Sequence, residues 1–148
     1  MSRAATNTGI QPMLKTEGKL FIDGEEFAQA KKVLVKVSLN SSTSKPLGVK
    51  TEKTRTTGYK ITVEVGMYKT NKFGSTIVKK YLDKGLTPEF TIQALNNDRG
   101  SDFFKKYGND VVTITGCVPT GDITMLDLDS SSTDYVEETI TFNGYQFT

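Results

Sequence analysis

The sequence predicts a mainly β fold, a β-barrel or sandwich of about seven or eight antiparallel strands flanked by one α-helix. Short segments in which apolar and polar residues alternate recur along most of the chain, with turn residues between them. Only one stretch has the longer period of an amphipathic helix. The chain has 148 residues, we find no internal repeat, and this length can bury a core without disulfides. We therefore expect a single domain, residues 1–148.

Residues 58–95 are the centre of this prediction and comprise a strand, the helix and a second strand. Apolar residues fill every second position of the first strand: Tyr59, Ile61, Val63, Val65 and Met67. This period of two is typical of a strand with one face in the core. Phe90, Ile92 and Ala94 resume the alternation after the helix.

The helix is predicted from apolar residues that recur at four- and five-residue steps, while the lysines lie mostly off their stripe. Thr70 or Asn71 can cap its N-terminus, and Gly85 with Pro88 closes its C-terminus. The stripe is expected to pack on the outside of the barrel, as the helix core face: Phe73, Ile77, Tyr81 and Leu82.

The elements before this centre follow in chain order. Residues 1–16 are polar and patternless, which predicts a flexible N-terminal arm. Residues 19–22 form a short strand, Asp23-Gly24 is a hairpin turn, and residues 27–39 form a long return strand. Residues 40–57 are rich in Ser, Thr and Lys and break the alternation. A connection of that length is usually functional or disordered, so a long functional loop is predicted there.

The elements after the centre are shorter. A turn-rich loop over residues 96–101 leads into one helical turn, FFKKYG. Alternation then predicts strands over residues 110–118, 123–128 and 135–142. Asn143-Gly144 is predicted to turn the chain back into a last strand.

Catalytic chemistry has little support in the composition. The chain has no histidine and one cysteine, Cys117, which excludes Ser-His and Cys-His nucleophile arrangements and an internal disulfide. The acidic pairs Glu25-Glu26 and Glu137-Glu138 point to opposite faces of a strand, so we interpret them as solvated positions. The segment DLDSSSTD lacks the spacing and glycine of a calcium loop. We therefore expect that the protein is not an enzyme and that it binds neither a cofactor nor a metal ion.

Charge is unevenly distributed along the chain. Between residues 31 and 60 eight Lys or Arg face a single acidic residue, and after Pro119 every charged residue is Asp or Glu. Two interpretations stay open: solvated surfaces that differ in sign, or a head-to-tail contact between copies. If copies contact one another head to tail, the candidate contact residues are these: Lys45, Lys50, Lys53, Arg55, Asp122, Asp127, Asp129 and Asp134.

Three stretches resemble the tail tube proteins of PBSX-like phages: GKLFIDGEEFAQAKKVLVKVSLN, TGYKITVEVGMYKTNKFGSTIVKKYLDKGLTPEFTIQAL, and VVTITGCVPTGDITMLDLD with VEETITF. The resemblance spans about residues 17–142. It implies a barrel or sandwich with one helix, six subunits in a ring whose sheets form a continuous inner wall, and rings stacked into a hollow tube. The family's inter-ring loop maps onto residues 40–57.

The same resemblance implies the partners and the location. The partners would be further copies of the chain, the tail sheath protein, and the baseplate and tail terminator proteins. DNA passing through the channel would not be bound specifically, and the free form would contact no membrane. The subunit would belong to a virion or a phage-tail-like particle. We expect assembly in the cytoplasm of the bacterial host, because we find neither a membrane-spanning run nor a signal-peptide pattern.

Two classes of function remain at this point. The first is a tube subunit of a contractile phage tail or phage-tail-like bacteriocin, with a type VI secretion tube as a related option. The alternative is a small β-barrel nucleic-acid-binding module that uses the Lys-rich loop for phosphate contacts. That loop has no aromatic residue to stack on a base, and the net charge is only +2, so the first is favoured.

Overall fold

The computed structural model describes residues 9–148 and contains eight antiparallel strands and two helices. The mainly β prediction is confirmed, and the predicted FFKKYG turn is a second, short helix. In chain order the elements are β1 (Gly18–Ile22), β2 (Glu25–Glu26), β3 (Ala30–Ser44), β4 (Lys53–Tyr68), α1 (Phe73–Lys84), β5 (Phe90–Asn96), α2 (Asp102–Tyr107), β6 (Asp110–Thr120), β7 (Glu137–Gly144) and β8 (Gln146–Phe147).

The strands form one sheet in the order β2-β1-β5-β6-β7-β4-β3, and β8 also pairs with β6. The β1–β2 hairpin turns at Asp23-Gly24, where both residues have positive φ, as predicted. Asn143-Gly144 does not reverse the chain. Instead β7 and β8 lie along the same edge of β6, with Asn143 opposite Val118 and Phe147 opposite Ile114. A Cβ at Gly144 would collide with Ile114, so only glycine fits this close crossing.

One core lies inside the curled sheet. Its members come from β1, β4, β5, β6 and β7, which include strands near opposite ends of the strand order, together with Phe27 and with Ile77 of α1. The alternation predicted for β4 is confirmed, because four of its five apolar positions are buried: Ile61, Val63, Val65 and Met67. Cys117 is fully buried as a free thiol, and burial raises its pKa to about 11.

The structure confirms Gly85 at the C-terminal end of α1, but the N-cap residue is Lys72, without a side-chain capping bond, rather than Thr70 or Asn71. The Phe73 N–H donates to Asn71 Oδ1 at 3.1 Å, and Gly85 adopts a left-handed conformation, with its N–H donating to the Tyr81 carbonyl at 2.8 Å. The Phe73 ring packs between Phe27 and Phe90, at centroid distances of 5.1 and 5.3 Å.

Half of the predicted core face of α1 is wrong. Ile77 is buried and Phe73 contacts the core, but Tyr81 and Leu82 are 58% and 73% exposed. The helix continues beyond the part of the core that it covers, so its last two turns place apolar side chains in an open groove.

The loop predicted for residues 40–57 is mostly strand. Asn40–Ser44 continues β3 and Lys53–Thr57 continues β4, in register from Ser41 opposite Thr56 to Ser44 opposite Lys53. Only residues 45–52 connect the two strands. Thr is β-branched and suits a strand, and here backbone pairing outweighs the Ser-rich composition.

The strand predicted for residues 123–128 is absent. The connection between β6 and β7 is irregular over residues 121–136, and Leu126 and Leu128 are exposed. The reason is topological: β6 and β7 already have a neighbour on each side, so no adjacent edge is available to this segment.

Residues 9–16 include contacts that tie the predicted N-terminal arm to the fold. The Leu14 N–H donates to Asp98 Oδ2 and the Gln11 N–H donates to Asp102 Oδ2. The Asp102 N–H donates back to the Gln11 carbonyl at 2.8 Å. This part of the arm is therefore bound to Asp98, in the loop before α2, and to the first residue of α2, whereas residues 1–8 lie outside the described residues.

Candidate assembly interface

The β3–β4 hairpin extends far beyond the rest of the sheet. β4 pairs with β7 only from Ile61 to Tyr68, so Lys53–Lys60 projects with β3 as its single neighbour. We call residues 38–60 the distal hairpin and residues 45–52 its tip. The eight residues from Lys53 to Lys60 correspond to about 26 Å of strand.

The irregular connection over residues 121–136, hereafter the acidic segment, lies at the opposite end of the molecule. It enters β7 at Glu137, which is opposite Tyr68 at the far end of β4, and the Lys69 N–H donates to the Val136 carbonyl. β4 has 16 residues, or about 50 Å of strand, between the tip and the point at which the acidic segment enters β7.

The four predicted basic contacts all belong to the distal hairpin. Lys45 and Lys50 are in the tip, Lys53 and Arg55 are on β4 directly beside it, and all four are exposed. Within residues 9–148 none of them forms an ion pair. The distal hairpin therefore presents uncompensated positive charge.

The four predicted acidic contacts belong to the acidic segment and are also exposed: Asp122, Asp127, Asp129 and Asp134. Asp129 Oδ1 accepts from the N–H and the hydroxyl of Ser131, and these bonds hold the pKa of Asp129 below its ordinary value. Asp134 lies near Lys31, whose pKa is raised chiefly by its hydrogen bond to Glu137. The predicted basic and acidic contacts thus lie at opposite ends and do not meet within one chain.

The distal hairpin also presents an apolar face that the core does not cover. Val37 pairs with Ile61 and Leu39 with Tyr59, which continues the core face of the strands outward. Leu39 and Tyr59 are nevertheless 66% and 55% exposed, and Leu47 at the tip is fully exposed. Large exposed apolar patches mark interaction sites, and the paired Val37, Leu39 and Tyr59 form a candidate for one. The alternation in the sequence predicted which face Leu39 and Tyr59 share, but not that they would be mostly exposed.

The long outer edge of β3 is a second unpaired surface. Among the described residues β3 pairs only with β4, although it runs for 15 residues from Ala30 to Ser44. An unpaired strand of this length presents a row of backbone donors and acceptors that another strand can bind.

A buried acid at the base of the acidic segment was missed by the sequence reasoning. Glu138 was interpreted as solvated, yet it is 2% exposed, and neither carboxylate oxygen accepts a hydrogen bond from the described residues. Lys69 Nζ lies 3.7 Å from Glu138 Oε1 and donates to the Met125 carbonyl at 2.6 Å. The signal was present, because Glu138 occupies the same alternating positions as the buried Ile140 and Phe142.

Gly74 makes room for this carboxylate. A Cβ at Gly74 would lie 3.4 Å from both Glu138 oxygens and 3.1 Å from Ile123 Cγ2. Lys69 and Glu138 therefore fix the start of β7, the first turn of α1 and the acidic segment relative to one another.

Other kinds of site are not supported by the described part of the chain. Between residues 9 and 148 no three Cys, Asp or Glu side chains gather in a way that could hold a metal ion. Neither described helix is long and apolar enough to cross a bilayer.

The fold is similar to that of chains in solved structures of contractile injection systems. A chain in the cryo-EM structure of the sheath-tube complex of an extracellular contractile injection system, PVC, in the extended state is similar with a TM-score of 0.68. It is 12% identical, and the similarity spans 100% of this chain and 97% of that one. A chain of the anti-feeding prophage tube-terminating cap is 11% identical with a TM-score of 0.73, over the same shares of the two chains. The fold is one found in contractile injection systems.

Sequence comparison then gives the family. The model of the phage tail tube protein family matches residues 11–148. The phage-like element PBSX protein XkdM of Bacillus subtilis (strain 168) is 32% identical over 132 residues, which cover 88% of this chain and 85% of the relative. The chain belongs to the phage tail tube protein family, and the resemblance seen in the sequence is confirmed. It is a tail tube subunit, and the nucleic-acid-binding alternative is not supported.

Proposed function

We propose that the chain forms hexameric rings that stack head to tail into the inner tube of a contractile phage tail or phage-tail-like particle. The observation that carries this proposal is the separation of charge, with basic residues that form no ion pair at the distal hairpin and aspartates in the acidic segment at the other end of β4. A subunit with complementary ends makes a heterologous contact that repeats without closing. Stacking along one axis is such a contact.

The lateral contact within a ring uses the unpaired edge of β3. Pairing that edge with a strand of the neighbouring subunit would satisfy its backbone groups and extend the sheet from subunit to subunit. Residues 40–57, as a hairpin rather than a loop, would reach the adjacent ring. A paired hairpin is stiffer than a loop of the same length, which favours a defined contact.

The partners follow from the place of a tube in such a particle. Structures similar to this fold come from a sheath-tube complex and a tube-terminating cap. By analogy the tube would contact a sheath protein on its outside, and baseplate and terminator proteins at its ends. The role is structural rather than enzymatic, with DNA or other cargo passing without specific binding and assembly taking place in the host cytoplasm.

Electron microscopy of the purified protein over a range of concentrations tests the proposal directly. We expect six-fold rings at low concentration and stacked tubes at high concentration. A protein that stays monomeric at all concentrations and shifts single-stranded DNA on a gel would refute it.

Charge reversal tests the head-to-tail contact. Single exposed ion pairs contribute only about 0–1 kcal/mol and are screened by salt, but six pairs per ring act together. We expect tube growth to slow as salt rises and to stop in the Lys50→Glu, Lys53→Glu variant. Adding Asp127→Lys and Asp129→Lys to that variant should restore part of the growth. Growth that ignores both salt and the reversals would show that stacking depends on apolar and backbone contacts.

A further inference from the structure

An open apolar groove runs beside the last turns of α1. It has a volume of about 320 Å³, within the range of ligand pockets, and its lining includes Ile77, Tyr81, Leu82, Pro88, Pro119 and Ile123. Tyr81 and Leu82 are mostly exposed. Among residues 9–148, the groove is therefore the place where the end of the predicted core face of α1 is left uncovered.

One side of the groove belongs to the acidic end of the molecule. Ile123 lines it, is part of the acidic segment, and is next in sequence to the exposed Asp122. Ile123 also lies against Gly74 in the first turn of α1. A partner that enters from this side meets negative charge first and the apolar lining next.

The C-terminal half of α1 carries three exposed lysines, none of which lines the groove. Lys79, Lys80 and Lys84 are exposed on α1, and Lys84 is in its last turn. These lysines disfavour the approach of a basic partner from the C-terminal end of the helix. A basic partner is therefore favoured on the Ile123 side, next to Asp122.

The tip of the distal hairpin has the matching chemistry. Residues 46–49 form a tight turn in which the Val49 N–H donates to the Pro46 carbonyl at 3.0 Å, and Gly48 has a φ of 82°. These features are those of a type II turn, with Pro46 at its first position and Gly48 at the third. The turn holds Leu47 fully exposed between Lys45 and Lys50.

A pre-formed turn suits Leu47 to act as an anchor. An exposed apolar side chain that fills a pocket at the centre of a contact, with charged residues at the rim, is the common arrangement of an energetic hot spot. Because the backbone of the turn is already fixed, docking would cost little additional conformational entropy.

We propose that the hairpin tip of one copy docks in the groove of a copy in the next ring, with Leu47 against Tyr81 and Ile123. This inference rests on the proposed stacking and names the receptor of the distal hairpin. Within one chain the contact is excluded, because the hairpin leaves the sheet at Ile61 and extends away from the groove. Lys45 and Lys50 then lie beside Asp122 and the remainder of the acidic segment.

Cross-linking between two differently labelled populations tests the contact. One population carries Leu47→Cys and the other Tyr81→Cys, and the buried Cys117 does not compete for reagent. The two are mixed, assembled into tubes and treated with a short bis-maleimide. We expect a covalent dimer that contains one chain of each kind, formed in tubes and not in dilute monomer. The matched control is Leu47→Cys with Tyr107→Cys, an exposed position on α2 outside the groove, which should give no dimer.

A second variant measures the anchor directly. Leu47→Asp should raise the protein concentration needed for tube growth at least tenfold, while the melting temperature of the monomer stays unchanged because Leu47 makes no buried contact. If wild-type tubes form but the Leu47–Tyr81 dimer is absent, or Leu47→Asp grows like the wild type, the docking proposal is wrong and the tube function stands. If the wild type forms neither rings nor tubes, both proposals fail together.

Discussion

Replacing Lys69 by Met should destabilise the subunit far more than replacing an exposed lysine. Glu138 is 2% exposed, and Lys69 Nζ is its nearest counter-charge, 3.7 Å from Oε1. Removing one partner of a buried pair leaves an uncompensated charge, which costs about 3–5 kcal/mol. For a domain of this size that corresponds to a fall in melting temperature of about 6–20 °C. The matched control is Lys80→Met on the exposed side of α1, for which we expect no more than about 0.5 kcal/mol.

A double-mutant cycle identifies the cause of that loss. Glu138→Gln removes the buried charge and keeps its shape, so Lys69→Met should cost less in the Glu138→Gln background than alone. The coupling free energy should exceed about 1 kcal/mol. The free energy of unfolding is measured by denaturant titration at low protein concentration, where assembly does not contribute. If Lys69→Met costs no more than Lys80→Met, or if the two single costs add, the pair does not hold the acidic segment in the way inferred here.

Three further outcomes follow from the burial of single residues. Ile77→Asp should destabilise the monomer by several kcal/mol because it buries a charge, whereas Leu82→Asp should change its melting temperature little; equal effects would mean that the exposed end of α1 is covered after all. Leu39→Ser should leave the stability of the monomer nearly unchanged but slow tube growth, as followed by light scattering, and normal growth would leave the apolar face of the distal hairpin unexplained. The Cys117 thiol, with a pKa of about 11, should react with a thiol reagent at pH 8 only after denaturation; rapid labelling of the native protein would contradict its burial.

The most accurate predictions from the sequence concern strands in which apolar residues alternate with polar ones, because this alternation indicates which face is buried. β4 and β7 alternate strictly, and their inward residues are Ile61, Val63, Val65, Ile140 and Phe142. The same parity places Glu138 inward. The alternation does not identify the ion-pair partner of Glu138. Lys69 is 69 positions away along the chain, and it approaches Glu138 only when β4 pairs with β7.

The wrong predictions share a different cause. A strand needs an edge to pair with, and the composition of a segment does not say whether one is available. Residues 40–44 and 53–57 look like loop but pair with each other. Residues 123–128 alternate like a strand but find both adjacent strands already paired. Tyr81 and Leu82 continue the stripe of α1 beyond the surface that lies beneath it. In each case the outcome depends on neighbours that local sequence does not specify.

The placement of opposite charges at the two ends of β4 gives any filament of this subunit a direction. One terminus would expose a ring of lysine-bearing tips with protruding Leu47, and the other would expose a ring of aspartates around open grooves. A protein that closes one terminus must be acidic with an apolar socket, and a protein that closes the other must offer a basic, apolar projection. The initiating and terminating components would therefore not be interchangeable, and incoming subunits would meet chemically different surfaces at the two growing points.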